Sequence, residues 1–395
     1  MHNCGACGGS LGDTLLEIPN LPLVDSFCVS RELALKVPRF HIELRQCEHC
    51  STIQIASPPD TTDIYKSYIY ESSSSPDLED HFSAFSTYVS ELEINKDDSI
   101  LEIGANDGLL LRQLVRDGFT RLVAVDPSPQ TASIDLPNVE VLNDFFNPKT
   151  MSAFDEGSFS LIVANNCFSH IPRLLDVLRL CAKLLSKKGT IIIEVQSTLD
   201  LVEGVVFDYI YHEHYFYHSA TSFDNLATLA GLEIYKIEHV NTKGGSFRFL
   251  LGHPGARDRH SSIAYWKFRE AVAGIHSIDT WLELRDYLNL VKARLKDWVS
   301  HRNRPLFGYG ASATGTVFIS FMGLENTLSS IVDDNSKRQR LYAPGSALPV
   351  HSLDEVSNEK DCIILAWRHS ATILPRLKAR QFASLLPLPF PTPYD

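Results

Sequence analysis

The chain has 395 residues, 44% of them hydrophobic and 21% charged, and carries a net charge of −12 at neutral pH. That balance belongs to an ordinary soluble globular protein of two or three domains. It argues against a nucleic-acid substrate, because no basic stretch offsets the negative charge. No apolar run approaches the roughly 18 residues of a membrane span. The opening stretch Met1-His2-Asn3-Cys4 lacks the basic and apolar regions of a signal peptide. Eight cysteines, unevenly placed, do not make a disulfide framework, and a reducing cytoplasm fits them best.

Two Cys-x-x-Cys knuckles come first, Cys4-Gly5-Ala6-Cys7 and Cys47-Glu48-His49-Cys50. Two unrelated cysteine pairs are the plain alternative. The matched spacing instead predicts a closed tetrahedral zinc site, and four protein ligands make such a site structural rather than catalytic. The β-like stretch between the knuckles has little core of its own, so metal binding would supply folding energy. Residues 1–75 are expected to form a zinc-binding module that acts as a substrate-side lid. Its end is a bridge containing Tyr65, Tyr68 and Tyr70, followed by Glu71-Ser72-Ser73-Ser74-Ser75-Pro76. Serine and proline mark a loop. It is either a linker or a flap over a cofactor, with Tyr70 as the contact.

Phe82, Phe85, Tyr88, Val89 and Leu92 recur at helical spacing and lead into the stretch that organises the chain. Ser99-Ile100-Leu101-Glu102-Ile103 reads as a buried strand, Gly104-Ala105-Asn106-Asp107-Gly108 as a tight turn, and Leu109, Leu110, Leu111 and Leu114 as an amphipathic helix. Gly104 lets the backbone approach a ligand, and the helix amino terminus offers unpaired N–H groups. A second strand, Leu122–Val125, ends in Asp126, a position where a carboxylate accepts both hydroxyls of a ribose. An ordinary βα turn is the alternative for Gly104 taken alone. Turn, helix, strand and terminal acid together resemble the S-adenosylmethionine (SAM) site of class I methyltransferases. That resemblance implies cofactor contacts from Glu102, Gly104, Asn106 and Asp126. It extends to Asp144 at the adenine amino group after strand Val139–Leu142, and to Phe145 or Phe146 packed on the adenine face. Strand Ser160–Asn165, a helix around Leu174–Leu185 and strand Thr190–Val195 complete five βα steps, and strands Leu232–Val240 and Ser246–Gly252 form a closing hairpin. Ligands in such sheets sit beyond the carboxyl ends of the strands. That rule gathers Gly104, Asp126, Asp144, Asn165, His170 and Gln196 on one edge.

Between the fifth strand and the hairpin lies Phe207-Asp208-Tyr209-Ile210-Tyr211-His212-Glu213-His214-Tyr215-Phe216-Tyr217. The histidines are two apart, which is not a zinc-protease helix motif. On an extended segment, residues 212 and 214 face one way and 211 and 213 the other. A second metal site and a purely structural role are alternatives. Acid–base chemistry suits the histidines better, given their near-neutral pKa.

Tyr211-His212-Glu213-His214 followed by Tyr217 resembles the signature of deoxysugar C-methyltransferases. The resemblance covers essentially the whole chain. It includes the knuckles, Glu102–Gly108, Phe207-Asp208, Gly244-Gly245-Ser246-Phe247-Arg248, Gly308-Tyr309-Gly310-Ala311, Val332-Asp333-Asp334-Asn335, Ala343-Pro344-Gly345 and Ala366-Trp367. One departure is Thr314, where family members commonly carry lysine. The resemblance implies a TDP- or GDP-linked 4-keto-6-deoxyhexose methylated at C3. His214 would be the base, and Tyr211, Glu213 and His170 would hold the sugar and the developing enolate. His212 is equally readable as a structural histidine.

Trp281, Leu284, Tyr287, Leu288, Val291, Leu295 and Trp298 predict a long packing helix over 277–301. Leu306–Ser312 then repeats the strand–turn–helix pattern, and a second strand ends in Asp333. Resemblance assigns this second nucleotide-binding-like α/β domain to the substrate's nucleotide, with contacts from Gly245, Ser246, Arg248, Tyr309, Gly310, Ala311, Ser312, Asp333 and Trp367. Its alternatives are an inert docking domain, or an NAD site in a nucleotide-sugar oxidoreductase or epimerase. Gly-x-Gly-x-x-Gly is incomplete, which weakens NAD. The proline-rich tail from Leu386 is expected to run extended over the surface. The expected organisation is α/β throughout: zinc module 1–75, methyltransferase domain 76–255, helical linker 256–302 and a Rossmann-like domain 303–395, in a monomeric cytoplasmic enzyme.

Overall fold

The computed structural model describes residues 3–59, 72–74 and 76–394. Tyr65, Tyr68 and Tyr70 lie outside the described residues.

The amino-terminal segment contributes β1 (Leu11–Pro22), β2 (Arg39–Cys47) and β3 (Ile53–Ile55), an antiparallel meander. Alternation gives it one apolar face: Leu16 and Ile18 of β1 are buried while Glu17 between them is exposed.

The central domain holds β4 (Ser99–Ile103), β5 (Arg121–Val125), β6 (Val139–Leu142), β7 (Phe159–Asn165) and β8 (Leu185–Gln196), all parallel. After β8 the short β9 (Phe216–Tyr217) crosses over and pairs with β3, completing the amino-terminal sheet. β10 (Glu233–Val240) and β11 (Ser246–Gly252) return as the expected antiparallel hairpin, with β11 against β8. Spatial order is β10-β11-β8-β7-β4-β5-β6. β4 and β7 are covered by helices on both faces, so their sequences are near-continuous apolar runs. Helices Pro76–Glu91 and Leu109–Arg116 pack one face through Phe85, Val89, Leu110 and Leu114. Helices Leu174–Leu184 and Ala220–Leu229 cover the other. The chain leaves β4 toward β5 on one side, while β7 continues to β8 on the other. The crevice opened at this switch point lies at the carboxyl ends.

Helices Ser262–Ala273 and Ile278–Ser300 lead to the last sheet. Its strands are β12 (Leu306–Tyr309), β13 (Leu328–Val332), β14 (Val350–His351), β15 (Asp361–Ile364), β16 (Ser384–Leu386) and β17 (Thr392–Tyr394), in spatial order β14-β13-β12-β15-β16-β17. The tail is not merely laid over the surface: β17 pairs antiparallel with β16 as an edge strand. An edge is where Pro393 costs no ladder hydrogen bond.

The amino-terminal sheet shares its core with the carboxyl-terminal lobe. Ile18, Ile42 and Leu44 belong to one buried cluster with Trp281 and Leu284 of the long helix and Val317 and Phe318 of helix Ala313–Met322. Three sheets therefore meet around one crevice.

Candidate active site

A cavity of about 770 Å³ occupies that crevice, lined from all three parts of the chain. Gly104, Asn106, Asp126, Phe145, Asn165, His170 and Gln196 border it from the central sheet edge. Tyr211, Glu213 and His214 come from the loop after β8, and Gly310, Ser312 and Asp333 from the carboxyl-terminal lobe. These are thirteen residues that the sequence singled out, brought together by the fold.

The turn after β4 is shaped by close contact. Gly104 has φ +78°, and a Cβ there would lie 2.7 Å from Cβ of Cys167. Its N–H donates to Val125 O at 2.8 Å. Asp126 is fixed by two main-chain donors, Asn106 N to Oδ2 at 3.0 Å and Ser128 N to Oδ1 at 2.7 Å. Each carboxylate oxygen keeps acceptor capacity for a further hydroxyl. Below the turn, Glu102 Oε2 and both amide atoms of Asn165 are buried without a hydrogen-bond partner among the described residues. Burial first, then the negative charges of Asp126 and Asp107, push the Glu102 carboxyl well above its usual range. Glu102 borders a small side chamber with Gly104, Asn165 and Ser72.

The carboxyl-terminal lobe repeats this construction. Gly310 (φ +119°) donates to Val332 O at 2.8 Å, and a Cβ on it would lie 2.6 Å from that of Ala366. Asp333 accepts from Ala311 N at 2.7 Å and Asn335 N at 2.8 Å.

The reactive-looking residues sit on a turn, not on an extended strand. His214 N donates to Tyr211 O at 2.9 Å, closing a four-residue turn. Alternation therefore fails: Tyr211, Glu213 and His214 all border the cavity. His212 turns away into the amino-terminal sheet, where its Nε2 accepts from Val24 N at 3.3 Å and its ring lies 5.5 Å from that of Phe40. The His214 ring centroid is 4.1 Å from Tyr211 and 4.8 Å from His170. His214 Nδ1 lies 2.7 Å from Tyr209 O, and His170 Nδ1 lies 3.0 Å from Glu213 O. Burial lowers both imidazoles, His170 to about 4 and His214 well below its ordinary value, with the neighbouring His170 adding to the effect on His214. Burial, with Asp25 adding to it, raises Glu213 to about 8. At neutral pH the cluster holds two neutral imidazoles, a phenol and a protonated carboxyl.

Other sequence-selected residues do not reach the cavity lining. Asp144 is exposed, its carboxylate accepting from Phe145 N and Thr150 Oγ1. Arg248 is bound to Glu194 at 3.1 Å and Glu238 at 3.4 Å. Ser246 donates to Thr242 O, and Gly245, beside it, is packed against Asp200. Tyr309 donates to Asp334. Ala311 serves Asp333 through its N–H. Trp367 donates Nε1–H to Asp208 at 3.0 Å. That aspartate, wholly buried, also pairs with Arg368 at 2.7 Å and so joins the loop after β8 to the last lobe. Sequence reasoning missed Asp25, Tyr209, Lys243, Arg338 and Arg368 as cavity residues. Lys243 stands beside the Gly244-Gly245 motif and Arg368 beside Trp367, so adjacency was the available signal. Asp25 had none.

At the amino terminus, the sulfurs of Cys4, Cys7, Cys47 and Cys50 all lie within 4.8 Å of one another, a donor set able to hold a metal ion.

Comparison with known proteins agrees with this architecture. A family model described as a methyltransferase domain matches residues 78–237, and one described as a C-methyltransferase C-terminal domain matches residues 241–389. C-methyltransferase NovU of Streptomyces niveus is 25% identical over 392 residues, spanning 96% of this chain and 92% of that protein. Mouse EEF1A lysine methyltransferase 2 is 32% identical over 87 residues, 18% of this chain and 36% of that protein. Among solved structures, the PH0226 protein of Pyrococcus horikoshii aligns at 15% identity over 47% of this chain and 94% of its own, with a TM-score of 0.39. Fold, crevice and matched families define a SAM-dependent C-methyltransferase. Nearly the whole chain is similar to one C-methyltransferase, and the carboxyl-terminal match is to a domain of C-methyltransferases in particular.

Proposed function

We infer that the enzyme methylates C3 of a nucleotide-linked 4-keto-6-deoxyhexose, by way of an enolate. The observation that carries this reading is the hydrogen bond of His214 to Tyr209 O. A carbonyl oxygen only accepts, so Nδ1 bears the hydrogen and Nε2 keeps the lone pair. A buried neutral imidazole of that tautomer is a base suited to a proton made acidic by an adjacent ketone. Tyr211, protonated Glu213 and His170 supply polar groups around it, and donors in a water-poor site act strongly on developing negative charge.

Glu102, Gly104, Asn106, Asp126, Phe145, Asn165 and Gln196 would hold SAM, which supplies an electrophilic methyl group. The fit is chemical: orphaned Glu102 Oε2 and Asn165 offer partners to an ammonium and a carboxylate. Asp126 offers acceptors to a ribose. Asp333 and the turn at Gly310, which border the same cavity, offer a second ribose-and-phosphate-like subsite for the nucleotide. Cys4, Cys7, Cys47 and Cys50 would hold zinc, since four thiolates about 2.3 Å from a tetrahedral ion lie within the sulfur separations seen here.

The test incubates enzyme, SAM and thymidine- or guanosine-diphosphate 4-keto-6-deoxyhexose, and looks by mass spectrometry for a product heavier by one methylene. Deuterium uptake at C3 in heavy water without SAM reports the base alone. Absence of both with either carrier rules the reading out.

A further inference from the structure

His214 is anchored by a main-chain oxygen, so its orientation depends on what holds that oxygen. Tyr209 belongs to the single turn Phe207–Tyr209, closed by Ile210 N on Phe207 O at 2.9 Å. One hydrogen bond closing so short a turn is marginal by itself. All three side chains of the turn meet the carboxyl-terminal lobe. The wholly buried Phe207 ring lies 4.9 Å from Phe321 and 6.0 Å from Phe318 of helix Ala313–Met322. Asp208 accepts from Arg368 Nη1 on one carboxylate oxygen at 2.7 Å, and from Trp367 Nε1 on the other at 3.0 Å. The same guanidinium lies over the Tyr209 ring, 4.4 Å from its centroid.

Tyr209 passes this seating on to His214 in two ways. Its carbonyl oxygen lies 2.7 Å from Nδ1, and its ring is within 6° of parallel to the imidazole, with 6.0 Å between centroids. The hydrogen bond made by one imidazole nitrogen decides whether the other is free to take a proton. A displaced turn would release Nδ1 and let hydrogen occupy Nε2 in part of the molecules, leaving no lone pair there for a substrate proton. Arg368 also borders the cavity, so it has two conceivable duties, seating the turn or anchoring substrate. Asp208 separates them, because removing its charge unseats the turn while leaving the guanidinium in the chain.

We propose that Arg368 and Asp208 are positioning residues: their ion pair seats the 207–209 turn from the carboxyl-terminal lobe, so that Tyr209 O holds His214 with Nε2 as its open nitrogen. The inference rests on the C3 reading above, in which that nitrogen takes the C3 proton. Neither residue exchanges a proton with substrate, and both act through Tyr209. The lobe that would hold the nucleotide therefore also sets the base.

The experiment has two arms, both with SAM omitted. One follows deuterium uptake at C3 of thymidine- and guanosine-diphosphate 4-keto-6-deoxyhexose as substrate concentration is varied. The other records nitrogen-15 NMR of histidine-labelled protein, with the His214 signal assigned by its loss in His214→Ala. Calorimetry of S-adenosylhomocysteine binding shows that each variant is folded. Asp208→Asn keeps an oxygen for Trp367 but removes the ion pair, and Arg368→Met removes the guanidinium. In both, uptake at saturation is expected to fall on the order of 100-fold, the scale of a small misplacement of a reacting group. The half-saturating substrate concentration should hardly move. The His214 signal should change from hydrogen on Nδ1 to a mixture of tautomers. Arg368→Lys keeps a cation for Asp208 and should recover part of both. If one variant does not fold, the other gives the same measurement. Wild-type uptake at saturation, or an unmoved His214 signal, in a folded Asp208→Asn or Arg368→Met protein overturns the proposal. So does Arg368→Met that only raises the half-saturating concentration, which would make Arg368 a substrate anchor. Failure of the wild-type enzyme to exchange with either carrier falls on the C3 reading instead, and the NMR arm then still decides how His214 is seated.

Discussion

His214 Nδ1 lies 2.7 Å from the main-chain oxygen of Tyr209, five positions earlier in the chain. The contact fixes the tautomer and so the identity of the basic nitrogen. Replacing His214 with alanine should reduce C3 exchange by about 100-fold or more, the usual contribution of a positioned base. Proton NMR of the exchanging substrate measures it. Exchange at the normal rate in the variant would refute the assignment.

Glu213 sets a pH limit. Burial, assisted by Asp25, raises it to about 8. Below that pH it is a neutral donor, and above it a carboxylate that repels an enolate. The rate should therefore fall as pH rises through about 8. Glu213→Gln keeps a neutral donor at every pH, so the alkaline decline should disappear from its kcat/KM profile. A decline that persists unchanged in the glutamine variant assigns the limb to another group.

Asp208 holds Arg368 and Trp367 from a wholly buried position. Removing one partner of a buried ion pair leaves a charge uncompensated, at a cost of about 3 kcal/mol or more. Asp208→Ala should lower the melting temperature clearly in calorimetry. An unchanged melting temperature means that the pair does not tie the lobes together.

Gly104→Ala combines a positive φ of +78° with a contact of 2.7 Å on Cys167 Cβ. The turn must shift, so S-adenosylhomocysteine binding should weaken at least tenfold, about 1.4 kcal/mol. Adding Cys167→Ala should not restore it, because the Cβ–Cβ contact and the backbone conformation both remain. Full recovery in the double variant would locate the problem at the sulfur alone.

The four cysteine sulfurs are not among the cavity-lining groups, so the metal they would hold is a matter of folding. Chelation is expected to lower the melting temperature while the protein still folded turns over. Lost turnover with unaltered melting would contradict a structural role.

Much of the central sheet could be read directly. Strand Ser246–Gly252 falls at its predicted ends, and the helix at Leu174 within a residue, because period-2 and period-3.6 patterns are local. Gly104 and Asp126 were legible because the strand–turn–helix unit carries its own spacing. The 211–214 segment was misjudged for the converse reason. Whether it extends or turns depends on the His214 N to Tyr211 O bond and on His212 finding a place against Phe40, which lies far away in sequence. Arg248 and Trp367, selected as ligand-binding groups, are engaged with Glu194 and Asp208, partners far away in sequence.

Residue order by itself determined the cysteine knuckles, the alternating strands, the two glycine turns and the presence of a Tyr-His-Glu-His cluster, since each is written within a few consecutive positions. Tertiary structure alone decided that β9 would complete the first sheet, that Asp25 and Lys243 would border the same cavity as His214, and that His212 would not. Those outcomes follow from which distant surfaces bury one another, and burial also favours the uncharged form of both the Glu213 carboxyl and the adjacent His214 imidazole.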